Sequence, residues 1–297
     1  MKTTIGVLGA TGRVGGTAAR TLISKGIYPR LIVRNAHQLP ENIRTAAEVI
    51  EADLTRPETA IAATTGLDTL FWLTPDNFQA EDIQSYYEAM GDCAKQIVQK
   101  NNIARVVQLS AAGAGQDQFG IISAQRIIED AFQSVATHHF ILRPAYFYEN
   151  FLLQIQSLSQ QGLLFELFPE DIVIPMVTTT DVGIEIARVL IDSSWSGTIA
   201  QEIRGPERHT MPSALTAFGQ ALSRSFTYVR VSSMEMTKVF QSLGATQSVI
   251  DNVLEMFKAI AEGRATQLED SSVIVAKTGA QQFAQTTLSF ALENYKQ

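Results

Sequence analysis

Short apolar runs alternate with longer stretches of helical periodicity in the first half of the chain. The runs are apolar on both sides, which is typical of strands in a parallel sheet buried on both faces. The predicted strands span residues 4–8, 29–33, 48–52, 69–73, 105–109 and 140–142, and the predicted helices include residues 14–25, 80–100 and 121–135. This regular β-then-α order predicts an α/β fold with a doubly wound parallel sheet and right-handed crossovers.

The pattern loosens after residue 144. Predicted helices there span residues 147–161, 181–191, 211–222, 234–262 and 281–295, and predicted strands span residues 171–177, 198–203 and 272–275. Asp181 is expected to cap the second of these helices, and the strand at 198–203 is expected to return to the sheet. Because no flexible linker separates the two parts, we expect a dinucleotide-binding core over residues 1–145, with return segments near 178–205. A smaller, mostly helical substrate-side domain over residues 146–297 is expected to interleave with that core.

Composition narrows the classes of function. The formal charge of −7 gives the 297-residue chain no bulk attraction for nucleic acid, so direct nucleic-acid binding is not expected. The one cysteine, Cys93, rules out an intramolecular disulfide, and no His, Cys or acidic spacing suggests a metal site. No signal peptide precedes the first predicted strand and no apolar run is long enough to span a membrane, so we expect a cytoplasmic protein.

Three glycines open the first predicted helix. They follow an apolar strand in TIGVLGATGRVGG, as Gly9, Gly12 and Gly15. The first allows a sharp turn, the second lets the backbone approach a pyrophosphate, and the third lets the helix pack close to the sheet. A turn with nothing bound is the simpler alternative, but the strand-loop-helix context favours dinucleotide binding. The predicted contacts in this loop are Gly9, Thr11, Gly12, Arg13 and Val14.

The end of the second predicted strand favours NADP(H) over NAD(H). An acidic residue at this point binds the ribose 2′-hydroxyl of NAD, whereas an arginine can bind the 2′-phosphate of NADP. This chain has Arg34 there and no acid, and Arg13 is a second candidate for the same phosphate. A solvated surface charge is the simpler interpretation of Arg34. Asp53, after the third strand, is expected either to accept from the adenine amino group or to cap the helix that begins at Pro57.

Ligands of such sheets bind outside the carboxyl ends of the strands, near the switch in strand order. Besides the loop residues, this rule selects residues that follow the third, fourth and sixth predicted strands. They are Leu54, Leu73, Thr74, Pro144 and Tyr146. For Thr74, which is expected to lie near the nicotinamide-side ribose, a plain strand-ending turn is the alternative.

Several segments together resemble one family. They are LGATG at residues 8–12, IVRN at 32–35, VVQLS at 106–110, LRPAYFYEN at 142–150, TTTDVG at 178–183 and EIRGPE at 202–207. The chain resembles the NmrA-like branch of the atypical short-chain dehydrogenase/reductase family. The resemblance implies a Rossmann-type domain with a small helical domain over the nicotinamide end. It also implies one of two activities, NADPH-dependent quinone reduction or redox sensing without turnover.

The usual catalytic pair of the wider superfamily is absent. That pair is Tyr-x-x-x-Lys on the helix after the fifth strand, where one helical turn places both residues on one face. Here Ile122 and Arg126 occupy these positions, and none of the seven tyrosines is followed by lysine four residues later. Arg126 stays protonated, so it can hold a ribose or phosphate oxygen but is a poor proton relay. A surface arginine is the alternative.

The catalytic residues are therefore not identified from the sequence. Tyr146, Tyr148 and Ser110 are candidates for donating a hydrogen bond near the nicotinamide, and Arg126 is a fourth candidate. For each tyrosine a packing role is the simpler alternative. A quinone accepts hydride readily, so position matters more than acid catalysis for its reduction.

Two hypotheses follow for the function. The first is an NADP(H)-binding oxidoreductase that transfers hydride from NADPH to a quinone or similar small carbonyl acceptor. The second is a nonenzymatic, NADP-responsive regulator of the NmrA type that binds another protein.

Overall fold

The computed structural model describes residues 3–264 and 273–295. Its strands are β1 (Ile5–Leu8), β2 (Arg30–Val33), β3 (Glu48–Glu51), β4 (Thr69–Leu73), β5 (Arg105–Leu109), β6 (His138–Pro144), β7 (Tyr146–Phe147), β8 (Leu163–Glu166), β9 (Ile174–Val177), β10 (Thr198–Arg204), β11 (Arg208–His209), β12 (Thr227–Arg230) and β13 (Val273–Val275). Its helices are α1 (Arg13–Ser24), α2 (Glu41–Arg44), α3 (Pro57–Ala63), α4 (Ile83–Asn101), α5 (Ile121–Gln133), α6 (Ile155–Gln160), α7 (Thr179–Ile191), α8 (Met211–Leu222), α9 (Ser233–Ser242), α10 (Gln247–Ala261), α11 (Ala280–Phe283) and α12 (Ser289–Asn294).

A parallel sheet of eight strands forms the centre of the described part of the chain. The strand order is β13-β10-β6-β5-β4-β1-β2-β3, and every neighbouring pair is parallel. The order reverses between β1 and β4, so the topological switch point lies at the carboxyl ends of these two strands. The predicted doubly wound, Rossmann-type α/β fold is confirmed.

Helices cover both faces of this sheet. On one face α1 and α7 pack together over Val7, Phe71 and Val107. On the other face α3, α4 and α5 cover Leu70 and Trp72, in a core that continues into the second part of the chain. Burial on both faces explains why the strands are apolar throughout instead of alternating with polar residues.

The second part of the chain also contributes to the main sheet and to the helices that cover it. Two of its segments return to the main sheet, where α7 packs on α1 and β10 pairs with β6. The edge strand β13 also joins the sheet, an addition that the predicted division did not include. The remaining segments form a three-stranded sheet, β11-β9-β7, and a parallel pair, β8 with β12, beside helices α8 to α12.

Two predicted helices are wrong in their extent. In the segment 147–161, Phe147 pairs with Val177 in a strand, and a 3-10 segment at Tyr148–Gln154 precedes α6. The buried Glu149 within it accepts hydrogen bonds from the backbone N–H and hydroxyl of Thr179, which ties the segment to the start of α7. The segment 234–262 divides into α9 and α10 because Gly244 adopts a φ of 79°.

The predicted cap of α7 is also wrong. Thr178 is the N-cap, and its hydroxyl oxygen accepts from the backbone N–H of Asp181 at 3.0 Å. The Asp181 carboxylate instead accepts from the Thr178 hydroxyl and from the backbone N–H of Thr278. Asp181 therefore anchors the segment after β13 to the start of this helix.

Gly183 sets how closely α7 approaches α1. A Cβ at Gly183 would lie 2.6 Å from the Thr17 Cβ and 2.8 Å from the Val14 carbonyl oxygen. Neither atom belongs to the end of a flexible side chain, so the helices would have to separate. We expect Gly183→Ala to lower the free energy of unfolding by about 1–2 kcal/mol, because overpacking outweighs the gain in helix propensity. Urea unfolding measures this change.

The matched control for that substitution is Ile184→Ala. Ile184 lies next to Gly183 on the same helix but is 48% exposed, so its truncation should change the free energy by less than about 0.5 kcal/mol. Equal effects of the two substitutions would contradict the close-contact explanation.

Candidate functional site

The turn between β1 and α1 is built by its three glycines. Gly9 ends the strand with a φ of 67°, a conformation that favours glycine. Its carbonyl oxygen accepts from the backbone N–H of Gly12 at 2.9 Å. Gly12 is the N-cap of α1, and no side chain among the described residues caps this end. The first N–H groups of α1 are thus free to bind an anion.

Gly15 allows the first helix to pack closely on the first strand. A Cβ at Gly15 would collide with the carbonyl oxygens of Leu8 and Gly9, so the start of α1 packs directly on the end of β1. Thr11, Gly12 and Arg13 are exposed at the turn, and Val14 is buried beneath it. The loop therefore presents backbone donors and one cation at the switch point of the sheet.

Arg34 and Asp53 lie at the ends of neighbouring strands, beside this loop. Within the described ranges, neither Arg13 nor Arg34 forms a salt bridge, and both are exposed. The backbone N–H and hydroxyl of Thr55 donate to Asp53 at 2.9 and 2.8 Å. These bonds, with the charges of Arg56 and Arg34, hold the pKa of Asp53 below its usual value.

One of the two predicted roles of Asp53 was to cap α3, and this prediction is wrong. The N-cap of this helix is Arg56, and the Asp53 carboxylate closes the preceding turn through Thr55. Its other predicted role, contact with adenine, stays a prediction. Leu54 next to it is buried in the core and can offer only its backbone to a ligand.

The end of β4 offers mainly backbone. Thr74 is buried, and its hydroxyl oxygen accepts from the Trp72 indole N–H at 2.9 Å. Leu73 is half-buried, and its Cδ2 would lie 2.7 Å from a Cβ placed on Gly9. Leu73 therefore packs against the phosphate loop, while the Thr74 side chain faces the core.

Ser110 belongs to a buried ionic cluster. Its hydroxyl donates to Glu129 Oε1 at 2.6 Å, and Arg143 Nη2 lies 2.6 Å from Glu129 Oε2. Glu129 lies on α5 and is 4% exposed. The Ser110 proton is committed to this carboxylate, so the structure does not favour Ser110 as a donor to a substrate. Sequence reasoning missed Glu129, whose inward direction depends on the packing of α5.

Arg126 lies at the surface and Tyr148 lies in the core. Arg126 is exposed, with its Nε 3.7 Å from the Asp130 carboxylate, as the surface alternative expected. Tyr148 is fully buried and stacks on Phe283 with the ring centroids 5.2 Å apart. As catalytic candidates, these two residues are not supported by their positions.

A cavity of about 590 Å³ opens at the carboxyl edge of the sheet. One side of the cavity is lined by segments that follow the strands at this edge. They are residues 76–78 after β4, Ile121 at the start of α5, and Tyr146 after β6. The other walls come from β8, α9 and α10 and are largely apolar, with side chains such as Phe165, Met236, Phe240, Val253 and Met256. Such a space suits a flat, apolar molecule.

The main polar group in this cavity is formed by Tyr146, Asn150 and Glu166. The Tyr146 hydroxyl hydrogen-bonds the Glu166 carboxyl group and the Asn150 side chain. Burial raises the pKa of Glu166 to about 7 and raises the pKa of Tyr146 well above its usual value. Of these residues, the sequence suggested only Tyr146. Pro144, two residues before it, is buried at the end of β6.

Comparison with known proteins bears on the identity of the ligand. Residues 9–155, which include the glycine loop and strands β2 to β6 of the main sheet, match a family described as NAD(P)H-binding. This segment is therefore similar to the NAD(P)H-binding family. The similarity supports the predicted nicotinamide cofactor and does not choose between NADP and NAD.

One curated relative and several solved structures are similar to the chain. The NAD(P)H azoreductase of Xenophilus azovorans is 22% identical over 254 residues, covering 84% of this chain and 85% of the relative. Triphenylmethane reductase of Citrobacter sp., complexed with NADP(H), has a TM-score of 0.79 at 17% identity, covering 95% and 99% of the two chains. The NADPH-dependent quinone oxidoreductase of Escherichia coli has a TM-score of 0.73 at 17% identity, covering 95% and 98%.

Other structures with the same fold differ in their described roles. They include a nucleoside-diphosphate-sugar epimerase from Staphylococcus aureus, with a TM-score of 0.80 at 16% identity, and NmrA, with a TM-score of 0.71 at 16% identity. The expected resemblance to the NmrA-like group is thus confirmed for the fold. At these identities the structures establish the fold alone.

Two further observations bear on ligands. Among the described residues, no helix is both long and apolar enough to cross a bilayer. Residues 3–264 and 273–295 also contain no group of three or more His, Cys, Asp or Glu side chains placed to hold a metal ion.

The role of the buried Tyr148 hydroxyl can be tested by measuring protein stability. No residue that the structure describes hydrogen-bonds its buried hydroxyl, and burial raises its pKa. Tyr148→Phe removes an unsatisfied polar group, so we expect the free energy of unfolding to stay level or rise by about 1 kcal/mol. Thermal or urea unfolding measures this, and a loss above about 1 kcal/mol would show that the hydroxyl has a partner.

Proposed function

We propose that the protein is an NADPH-dependent oxidoreductase that reduces a small, apolar, conjugated acceptor such as a quinone. The observation that carries the proposal is the position of the apolar cavity. It opens at the carboxyl edge of the sheet, next to β4, β6 and α5, on the side where the nicotinamide of a cofactor held by the glycine loop would lie.

When bound, NADPH supplies a hydride and the two electrons it carries. The contribution of the chain is binding and position. The free backbone N–H groups in the first turn of α1, which begins at Arg13, would bind the pyrophosphate. The side chains of Arg13 and Arg34 would bind the 2′-phosphate. Thr11, Val14, Leu73, Pro144 and Tyr146 would contact the rest of the cofactor along the same edge. The apolar walls from α9 and α10 would exclude water from the acceptor.

The names of three similar proteins support the type of acceptor. They are an azoreductase, a triphenylmethane reductase and a quinone oxidoreductase. Azo compounds, triphenylmethane dyes and quinones are conjugated acceptors with large apolar surfaces. Such molecules match the aromatic and aliphatic lining of the cavity.

The loss of the Tyr-x-x-x-Lys pair favours a second candidate function, that of a redox sensor. Ile122 and the exposed Arg126 leave α5 without the usual acid. A sensor would bind NADPH at the same loop and use the cavity or its rim for a regulatory protein. One measurement separates the two functions.

We expect the protein to oxidise NADPH in the presence of a benzoquinone or naphthoquinone, because the cavity admits a flat apolar acceptor beside the cofactor. The loss of NADPH absorbance measures the rate, with protein-free and quinone-free mixtures as controls. Tight NADPH binding by titration calorimetry, together with no oxidation across a panel of quinones, would instead support the sensor.

The choice of NADPH over NADH is tested at Arg34. We expect Arg34→Ala to weaken NADPH binding by about 10- to 100-fold, the loss of a charge-assisted phosphate contact. NADH binding should change by less than about 2-fold, because that cofactor has no 2′-phosphate. Titration calorimetry with both cofactors measures the two affinities.

The matched control for Arg34 is Lys100→Ala. Lys100 is an exposed cation near the end of α4, at the amino edge of the sheet, so its removal changes the net charge equally without touching the site. We expect this control to leave both affinities unchanged. If Arg34→Ala weakens NADPH and NADH equally, Arg34 does not bind the 2′-phosphate.

A further inference from the structure

The cavity wall contains a carboxyl group, although α5 lacks the tyrosine that serves as the acid in the wider superfamily. Glu166 is the last residue of β8, and its side chain faces the cavity together with Tyr146 and Asn150. We propose that Glu166 is the acid that protonates the reduced acceptor and that Tyr146 positions its carboxyl group. This inference rests on the proposed function, which supplies the hydride.

The backbone around Glu166 is held from two sides. The Gln154 side chain accepts from the Phe165 N–H at 2.9 Å and donates to the Phe165 carbonyl at 2.6 Å. On the other side, the Tyr228 hydroxyl donates to the carbonyl oxygens of Glu166 and Phe168. These bonds restrict the direction in which the Glu166 side chain leaves the strand, so the carboxyl group is preorganised in the wall.

The two oxygens of the carboxyl group have different surroundings. The Leu167 N–H donates to Glu166 Oε2 at 3.2 Å, and the Tyr146 hydroxyl, which also bonds Asn150, donates to the same carboxyl group. Tyr146 is held in turn by edge contacts with Phe151 and Phe168, at centroid distances of 6.4 and 6.0 Å. These contacts hold the carboxyl group in the cavity wall, where it can donate a proton to an acceptor.

Burial, and not the surrounding charges, favours the neutral form of Glu166. Among the described residues that line the cavity, none is Lys, Arg or His, and the other ionisable groups there are the carboxyl groups of Asp76 and Glu235. From the paired strand β12, Tyr228 bonds only backbone oxygens, and Arg230 is exposed beside the strand. Without a compensating cation, burial raises the pKa of Glu166 to about 7, which suits a proton donor near neutral pH.

The proposed step balances for a quinone. NADPH gives two electrons and one hydrogen as hydride to the quinone, which becomes a hydroquinone anion while NADP⁺ is formed. The anionic oxygen then takes the proton from the Glu166 carboxyl group, and the resulting Glu166 carboxylate regains a proton from water. The net reaction consumes one NADPH and one proton for each hydroquinone. A triarylmethyl cation, by contrast, becomes neutral on accepting hydride and needs no proton.

This difference between acceptors defines the central experiment. We expect Glu166→Gln, which keeps the shape and hydrogen bonds but cannot supply a proton, to lower kcat for a benzoquinone by about 10- to 100-fold at pH 6. With a triarylmethyl cation as acceptor, kcat should change by less than about 3-fold. Equal losses with both acceptors would overturn the acid role, because they would indicate a structural or positioning effect.

The pH profile gives a second criterion. Since the protonated carboxyl group is the active form, wild-type kcat for the quinone should be level at low pH and fall as the pH rises through about 7. This fall should be absent in Glu166→Gln. In Tyr146→Phe the fall should move to higher pH, because the carboxylate loses a hydrogen-bond donor that lowers its pKa. An unchanged profile in Glu166→Gln would overturn the proposal.

A readout independent of turnover uses the stability of the protein. A folded pKa near 7, above the ordinary 4.5, stabilises the fold at low pH, and this contribution is lost as the pH rises from about 4.5 through about 7. The Tm of Glu166→Gln minus that of the wild type should therefore increase between pH 5 and pH 8, by about 2 °C or more. A constant difference would overturn the assigned protonation state and the proposal with it.

The matched control is Glu170→Gln. Glu170 is exposed, lies four residues beyond Glu166 and is not part of the cavity lining, so its kcat values, pH profile and Tm difference should follow the wild type. If the wild-type protein oxidises no NADPH with any acceptor, the proposed function fails. If it oxidises NADPH with the quinone while Glu166→Gln behaves like the wild type, only the inference about Glu166 fails.

Discussion

The close contact between the end of β1 and the start of α1 is the constraint on which the rest of the site depends. Because Gly15 has no side chain, the first turn of α1 packs on the carbonyl groups of Leu8 and Gly9. The N–H groups of that turn then point to the switch point of the sheet. Gly183 likewise allows α7 to pack closely on α1. The positions of the two helices and of the phosphate loop therefore depend on one another.

In a parallel sheet buried on both faces, the connecting segments lie at the amino and carboxyl ends of the strands. Polar groups are concentrated at these two edges of the sheet. At the carboxyl edge these groups are of two kinds. Ser110, Glu129 and Arg143 satisfy one another in a buried cluster, and Glu149 bonds the start of α7. Groups of this kind hold the edge together. Their protons are not available to a ligand, although their residue types resemble those of a catalytic site.

The second kind faces the cavity. Glu166 and the residues bonded to it are held by neighbouring strands but keep one polar side toward the apolar space. Burial in the cavity wall raises the pKa of the Glu166 carboxyl group to about 7, so this group keeps its proton at a higher pH than exposed carboxyl groups do. The chain thus combines a common cofactor loop with a separate, less common polar group on its substrate side.

The sequence by itself determined the parallel sheet, the glycine loop and the absence of Tyr-x-x-x-Lys, because these depend on residues close together in the chain. Periodicity reports burial, and glycine spacing reports a local turn. The tertiary structure alone decided the pairing of β8 with β12, the cap of α7 and the partners of Ser110 and Glu166. These contacts join residues far apart in sequence, such as Tyr146 with Glu166. Their geometry is set by packing between elements, so no local pattern predicts them.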